Sequence, residues 1–179
     1  LGDLQYYDSV RISDGHFRPD EDVLWDLAVH DLGCLDAMRP RPPVALSATG
    51  AAHPPGSQHS VAYLTMFYDD GLIAHVHASW LSPVKVRRIM IGGGLGRIVL
   101  DERAPGDCRA ERFGLAASTE PSELDGREPV LLALEHFVSC ISAGSDPVTD
   151  GRAGFRVVRL LEHASRSLAQ RGRPVDLVT

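Results

Sequence analysis

The sequence predicts an α+β domain, built as an open, mainly antiparallel β-sheet with helices packed on one face and the other face left available. Three observations lead there. Residues 44–101 hold successive strand-like segments joined by short turns, the signature of antiparallel pairing. One helix-patterned stretch precedes them, and two more follow, each with apolar residues at 3.6-residue spacing. The resulting order of strand, helix, strands, helices belongs to sheets that carry their helices on one side.

The first strand is expected over Leu4 to Ile12, with Leu4, Tyr6 and Val10 on one face and Tyr7, Ser9 and Arg11 on the other. A polar loop through Ser13-Asp14-Gly15-His16 follows, and Asp20 or Asp22 is placed to cap the next element. Leu24 to Met38 reads as a helix, stopped by Arg39-Pro40-Arg41-Pro42-Pro43. Strands are then expected at Val44–Ala52, Ser60–Tyr68, Ile73–Leu81, Val84–Ile91 and Arg97–Asp101. Asp69-Asp70-Gly71 is a hairpin turn, and Ser82-Pro83 and Gly92-Gly93-Gly94-Leu95-Gly96 are further breaks. Ala104 to Arg127 is irregular, with one short strand near Cys108–Phe113. Val130–Ala143 carries a stripe of Leu131, Leu134, Val138 and Ile141, and Gly151–Arg171 a stripe of Val157, Leu161, Ala164 and Leu168. Gly144 and Gly172 stand at C-terminal cap positions.

A chain of 179 residues suits one domain, spanning 1–179, and buries roughly 70% of its unfolded surface. The net charge of −6 argues against a nucleic-acid backbone as partner. Lys85, Arg87 and Arg88 cluster on one strand, as a solvated edge or an anion site. The three cysteines, Cys34, Cys108 and Cys140, show no C-x-x-C spacing, so a reducing, cytoplasmic setting is expected and no zinc site. No run of 18 apolar residues marks a membrane span. The chain opens at Leu1 without a methionine, which points to a fragment or a processed product.

The most informative segment is Asp22-Val23-Leu24-Trp25-Asp26-Leu27-Ala28-Val29-His30-Asp31. On a wheel at about 100° per residue, apolar side chains cover most of the circumference, so the helix should be largely buried. One strip remains, holding Asp26, His30, Gly33 and Ala37. Asp26 and His30 are four apart and therefore neighbours. An imidazole is the side chain best suited to move a proton at neutral pH, and a nearby carboxylate raises its basicity. The same spacing also describes a plain surface pair, worth about 0.2–0.5 kcal/mol. Asp31 points into the apolar arc and must find hydrogen-bond partners there, which suits a structural role.

Trp25-Asp26-Leu27-Ala28-Val29-His30-Asp31 resembles the D-x-x-x-H helix of the Gfo/Idh/MocA oxidoreductases. Leu1-Gly2-Asp3-Leu4 resembles the entry into that family's C-terminal domain. The run from His75 to Arg88 resembles a strand pair of its sheet, and Glu135-His136-Phe137 with Asp146-Pro147-Val148-Thr149-Asp150-Gly151 its closing helices. Ser9-Val10-Arg11 and the Ser79–Arg88 stretch look most like a branch acting on nucleotide-linked amino sugars. The resemblance implies a substrate-binding and oligomerisation domain of an NAD(P)-dependent sugar or sugar-nucleotide oxidoreductase. His30 becomes the proton donor or acceptor and Asp26 the residue that positions substrate and imidazole. Arg11, His16, Trp25 and Lys85 become substrate-binding residues, with Arg11 and His16 placed to reach a carboxylate or phosphate. The family's Rossmann domain, with its Gly-rich loop and Glu-Lys-Pro lysine, is absent from this sequence. NAD or NADP is therefore expected to bind mainly elsewhere, and the chain alone should be inactive. A homodimer or homotetramer through the open sheet face is implied, with Tyr63, Phe67, Val76 and Trp80 read as sheet packing.

Other readings stay open. The chain could be a stand-alone, non-catalytic module that binds a sugar nucleotide or scaffolds an oligomer. His75 and His77 share a strand face and could ligate a metal, although no third ligand is evident. Gly92–Gly96 looks faintly like a dinucleotide loop, but the β-branched Arg97-Ile98-Val99-Leu100 that follows favours a hairpin over a phosphate-binding helix.

Overall fold

The computed structural model describes residues 1–15, 18, 20–104, 110–114, 119–121 and 127–177. The strands are β1 (Leu4–Asp14), β2 (Ala45–Ala52), β3 (His59–Phe67), β4 (Ile73–Ser79), β5 (Leu81–Gly93), β6 (Gly96–Asp101), β7 (Ala110–Gly114), β8 (Thr119–Pro121) and β9 (Val175–Asp176). A π-helical turn over Leu24–Ala28 runs into α1 (Val29–Met38), and α2 (Pro129–Ala143) and α3 (Gly151–Ala169) follow the sheet. Among the described residues the strands form one sheet in the order β8-β7-β6-β5-β1-β4-β3-β2-β9. The α+β class and the open, mainly antiparallel sheet are as the sequence predicts.

One pairing is parallel: β1 lies along β4, with Tyr6 opposite Ile73 and Ile12 opposite Ser79. A parallel neighbour needs a crossover, and here the π turn, α1 and the β2–β3 hairpin supply it. β1 sits between β4 and β5 and is thereby covered along both edges. Its Tyr7, Ser9 and Arg11 turn inward and are buried, while Tyr6, Asp8 and Val10 face out. The same alternation runs through β3, where Ala62, Leu64 and Met66 are fully buried.

The core lies between this inner face and two antiparallel helices. Leu32 and Leu35 of α1 and Val157, Leu161, Ala164 and Leu168 of α3 meet Leu46, Leu64 and Val76 of the sheet. Each fully buried Leu contributes about 1.5–3 kcal/mol. Polar pins fix the helices. Ser167 Oγ accepts from the Ala48 amide at 2.8 Å and donates to the Arg173 carbonyl at 2.7 Å, tying α3 to β2. Arg156 donates to both oxygens of buried Asp36 at 2.7 and 2.8 Å, joining α3 to α1. Asp22, one of the two expected caps, accepts from the Leu24 and Trp25 amides.

Several features differ from expectation, among them Ser82-Pro83, an expected break that lies inside β5, and the added short strand β8. The helix expected from Leu24 opens as a π turn, because a single turn of apolar spacing reads alike for i+4 and i+5 closure. β9 pairs with β2 although its two residues carry too little pattern to read as a strand. In α2 the stripe of Leu131, Leu134, Val138 and Ile141 points outward rather than into the core. The core face of the sheet is already filled by α1 and α3, and α2 is fastened instead to the segment that follows it. Cys108 and His16 lie outside the described residues.

Candidate functional site

The inner face of β1 is where a charge enters the core. Arg11 is 7% exposed and Asp31, on α1, only 1%. The guanidinium donates to Asp31 Oδ2 at 3.0 Å and Oδ1 at 3.1 Å, and Nη2 donates again to Glu102 Oε1 at 2.9 Å. Tyr7, two residues earlier on the same face, donates its hydroxyl to the Asp31 carbonyl at 2.9 Å. Burial acts against the charge of Arg11, but Asp31 and Glu102 outweigh it and hold the guanidinium even more firmly protonated. Burial pushes the Asp31 carboxyl upward, and the paired Arg11 opposes that push. Burial, then the Asp31 charge, drives the Tyr7 phenol far above its ordinary range. The sequence expectation of a structural Asp31 matches these contacts. Arg11, expected to reach a substrate anion, is instead committed to two internal carboxylates, since a buried guanidinium must be neutralised locally.

The acid and the imidazole of the D-x-x-x-H helix have different surroundings. Asp26 falls in the π turn, with its side chain 19% exposed. Its Oδ2 accepts from Trp80 Nε1 at 2.8 Å, and its Oδ1 sits 3.3 Å from Arg18 Nη2. Trp80 is almost fully buried at the junction of β4 and β5. Gly15 lies against that indole, where a Cβ would come within 2.7 Å of Trp80 Cδ1, and its amide donates to the Trp80 carbonyl. The carboxylate is thus held from both sides of the helix start. His30 stands exposed on the next turn. Among the described residues no hydrogen bond or ion pair joins it to Asp26. Trp25 is half-buried and donates Nε1 to Ser165 Oγ at 3.1 Å, which pins the π turn to α3. The sequence reads Trp80 as sheet packing rather than a sugar-stacking platform; its indole N–H, which needs an acceptor once buried, is the signal that it also serves a polar role.

Lys85 is exposed on β5, on the face that carries Arg87 and Arg11. Arg87 lies 3.7 Å from Glu102, so Arg11 and Arg87 converge on one carboxylate. On the opposite face, Tyr63 stacks on His77 with ring centroids 4.4 Å apart, and Thr65 Oγ1 lies 3.0 Å from His75 Nδ1. Among the described residues no group of three potential metal ligands includes these histidines.

A nicotinamide dinucleotide does not fit the glycine run. Gly93 pairs with Gly96 in a tight β5–β6 hairpin, with no helix N-terminus behind it. A Cβ on Gly92 would lie 2.0 Å from the Tyr6 ring, so this glycine serves sheet packing. A cavity of about 410 Å³ between Leu35, Arg39, Tyr68, Phe155 and Arg159, and one of about 280 Å³ between Gly33, Ala37, Val148 and Val157, are lined by neither Asp26 nor His30. Among the described residues no helix is long and apolar enough to cross a membrane.

The half-covered, mainly antiparallel sheet is crossed by a helix that presents an anchored acid and an exposed imidazole one turn apart. The family model described as GFO/IDH/MocA C-terminal domain matches residues 6–99, just over half of the chain, and the chain belongs to that family. Solved structures with this fold include a UDP-N-acetylglucosamine 3-dehydrogenase from Acidithiobacillus ferrooxidans. It is 24% identical with a TM-score of 0.81, over 94% of this chain and 55% of that one. An aldose-aldose oxidoreductase from Caulobacter crescentus is 19% identical with a TM-score of 0.80, over 99% and 56%. An oxidoreductase from Agrobacterium radiobacter, solved with NAD+, L-tartaric acid and magnesium, is 20% identical with a TM-score of 0.76, over 98% and 57%. The chain therefore spans a little over half the length of these relatives. No curated protein sequence matches it.

Proposed function

We propose that this chain is the substrate-facing part of an NAD(P)-dependent oxidoreductase that interconverts a sugar hydroxyl and the corresponding ketone, with a sugar nucleotide as the preferred substrate class. The observation that carries this reading is the placement of Asp26 and His30. A carboxylate is locked in position by Trp80 and Arg18, and an accessible imidazole follows one turn later on the same helix strip. Membership of the Gfo/Idh/MocA family supports the reaction class.

In this reading His30 takes the proton from the substrate hydroxyl as it is oxidised and returns it in the reverse direction. Asp26 accepts a hydrogen bond from a substrate hydroxyl; its two oxygens are already anchored, so it orients the sugar rather than the imidazole. Lys85 stands on the same sheet face as Arg11 and takes an anionic substituent of the substrate. Arg11 acts through Asp31: by fixing α1 against β1 it sets where His30 stands. Trp25 fixes the π turn against α3 in the same way. His16, ahead of the same helix in the sequence, binds substrate. A bound nicotinamide would accept the hydride from the carbon bearing the hydroxyl, or return it in the reverse direction, and would bind outside these residues.

The test is a hybrid in which this chain replaces the matched part of the Acidithiobacillus ferrooxidans dehydrogenase. With UDP-N-acetylglucosamine and NAD+, His30→Ala is expected to lower turnover by roughly 10²–10⁴-fold. Full-rate turnover by that variant would remove His30 from the chemistry.

A further inference from the structure

We infer that the cavity between the end of α1 and the first half of α3 is a second binding site, which takes a small carboxylate carrying an apolar body. The inference stands apart from the activity proposed above. At about 410 Å³ the cavity has the volume of a small-molecule pocket. Leu35 of α1, Leu160 of α3 and Leu177 just after β9 form its floor, and all three are buried. Tyr68, just after β3, forms a wall, with the Arg39 guanidinium stacked over its ring at 4.9 Å. Phe155 stands at the mouth, 63% exposed. An apolar floor with an uncovered aromatic ring beside it is surface that the hydrocarbon part of a ligand would remove from water.

The rim supplies the charge. Arg152, Phe155, Arg156 and Arg159 fall at i, i+3, i+4 and i+7, so α3 presents all four on one face. Arg39 and Arg41 add two more cations from the segment after α1. Three of these five arginines are already neutralised: Arg156 by both oxygens of Asp36, Arg39 by Asp70, and Arg41 by Asp69 at 3.0 Å. Among the described residues no carboxylate pairs with Arg152 or Arg159, both of which are exposed. Asp150, the cap of α3, directs its carboxylate to the Ala153 amide at 2.7 Å. Two positive charges therefore remain at the mouth, in a chain whose net charge is −6. Their position is unfavourable for the helix itself. Arg152 is in the first turn, at the positive end of the helix dipole, and stands four residues from Arg156. An anion bound at this mouth relieves both repulsions.

Floor and rim together select the ligand. Guanidinium groups hold a carboxylate through paired N–H donors. An inorganic anion would satisfy the rim and leave the floor bare, and a neutral hydrocarbon would do the reverse. Only a molecule with a charged head and an apolar body uses both. The ligand is also distinct from the sugar. Neither Asp26 nor His30 lines the cavity. At about 100° per residue, Leu35, Asp36 and Arg39 leave α1 on the side away from His30.

The test is a calorimetric titration of this chain with decanoate. One decanoate per chain is expected to bind, with decanol and inorganic phosphate each weaker by roughly tenfold or more. Arg152→Glu with Arg159→Glu reverses the two free charges at exposed positions. It should weaken decanoate binding by roughly tenfold or more while the far-ultraviolet circular dichroism is unchanged. Should that variant lose its circular dichroism, Arg152→Gln with Arg159→Gln carries the same comparison. Decanol binding as tightly as decanoate would overturn the inference, and so would phosphate doing so. Unchanged affinity in the arginine variant, or no binding at about 1 mM decanoate, would also overturn it. Loss of binding in Leu134→Asp with Ile141→Asp, but not in the arginine variant, would put the ligand on the exposed stripe of α2 and remove it from this cavity.

Discussion

At the scale of single residues, the site depends on groups whose partners lie far away in the chain. Asp31 neutralises Arg11 inside the core, and removing one member of a buried pair costs about 3–5 kcal/mol because it strands the other. Glu102 still engages Arg11, so Asp31→Asn should lose about 3 kcal/mol, read as a lower urea midpoint at unchanged slope. Trp80→Phe keeps a large ring and deletes the N–H that holds Asp26. Stability is expected to fall by about 1 kcal/mol, while turnover of the hybrid enzyme falls roughly ten- to hundredfold, since the carboxylate is no longer aimed. A loss of stability with unchanged turnover would make Trp80 a packing residue only.

At the scale of elements, α3 and α2 are built from similar apolar stripes and do opposite things. In α3 the stripe is buried and backed by a polar pin. Ser167→Ala leaves the Ala48 amide without its acceptor and should cost about 1–3 kcal/mol in thermal or chemical denaturation. In α2 the stripe is exposed, so Leu134→Asp in the isolated chain should change stability by no more than about 0.5 kcal/mol. A cost near 2 kcal/mol would mean that the residue is buried in solution, by a neighbour or a second copy. Both stripes are legible in the sequence by period; the layer each one meets is not, because that depends on which sheet surface remains unfilled.

At the scale of the molecule, the sheet's outer face carries a titratable cluster. His77 stacks on Tyr63 and shares its face with His75 and with Asp8 of the neighbouring strand. Burial, and then the charge of His75, holds the His77 imidazole below its usual range. The unfolded chain therefore takes up the proton first as pH falls. Stability should decline below about pH 6.5, through the lowered folded value, and recover as pH rises. His77→Gln should flatten that decline in denaturation curves between pH 7 and 5. An unchanged pH profile would show that another group sets it.

Much of the architecture was written in short-range pattern. Period-2 alternation marked β1, strand-like runs between short turns marked β2 to β6, 3.6-residue spacing marked α1 and α3, and glycines at 71 and 144 marked a turn and a cap, because each depends only on neighbours along the chain. The strip of Asp26, His30, Gly33 and Ala37 was legible for the same reason. Tertiary structure alone decided what those residues meet. It set β1 parallel to β4, brought Trp80 to Asp26 across 54 residues, drew Arg11 into the core, and turned the α2 stripe outward. Pairing and burial are contests between distant segments for the same surface, and the outcome depends on every competitor at once rather than on any one segment's own periodicity.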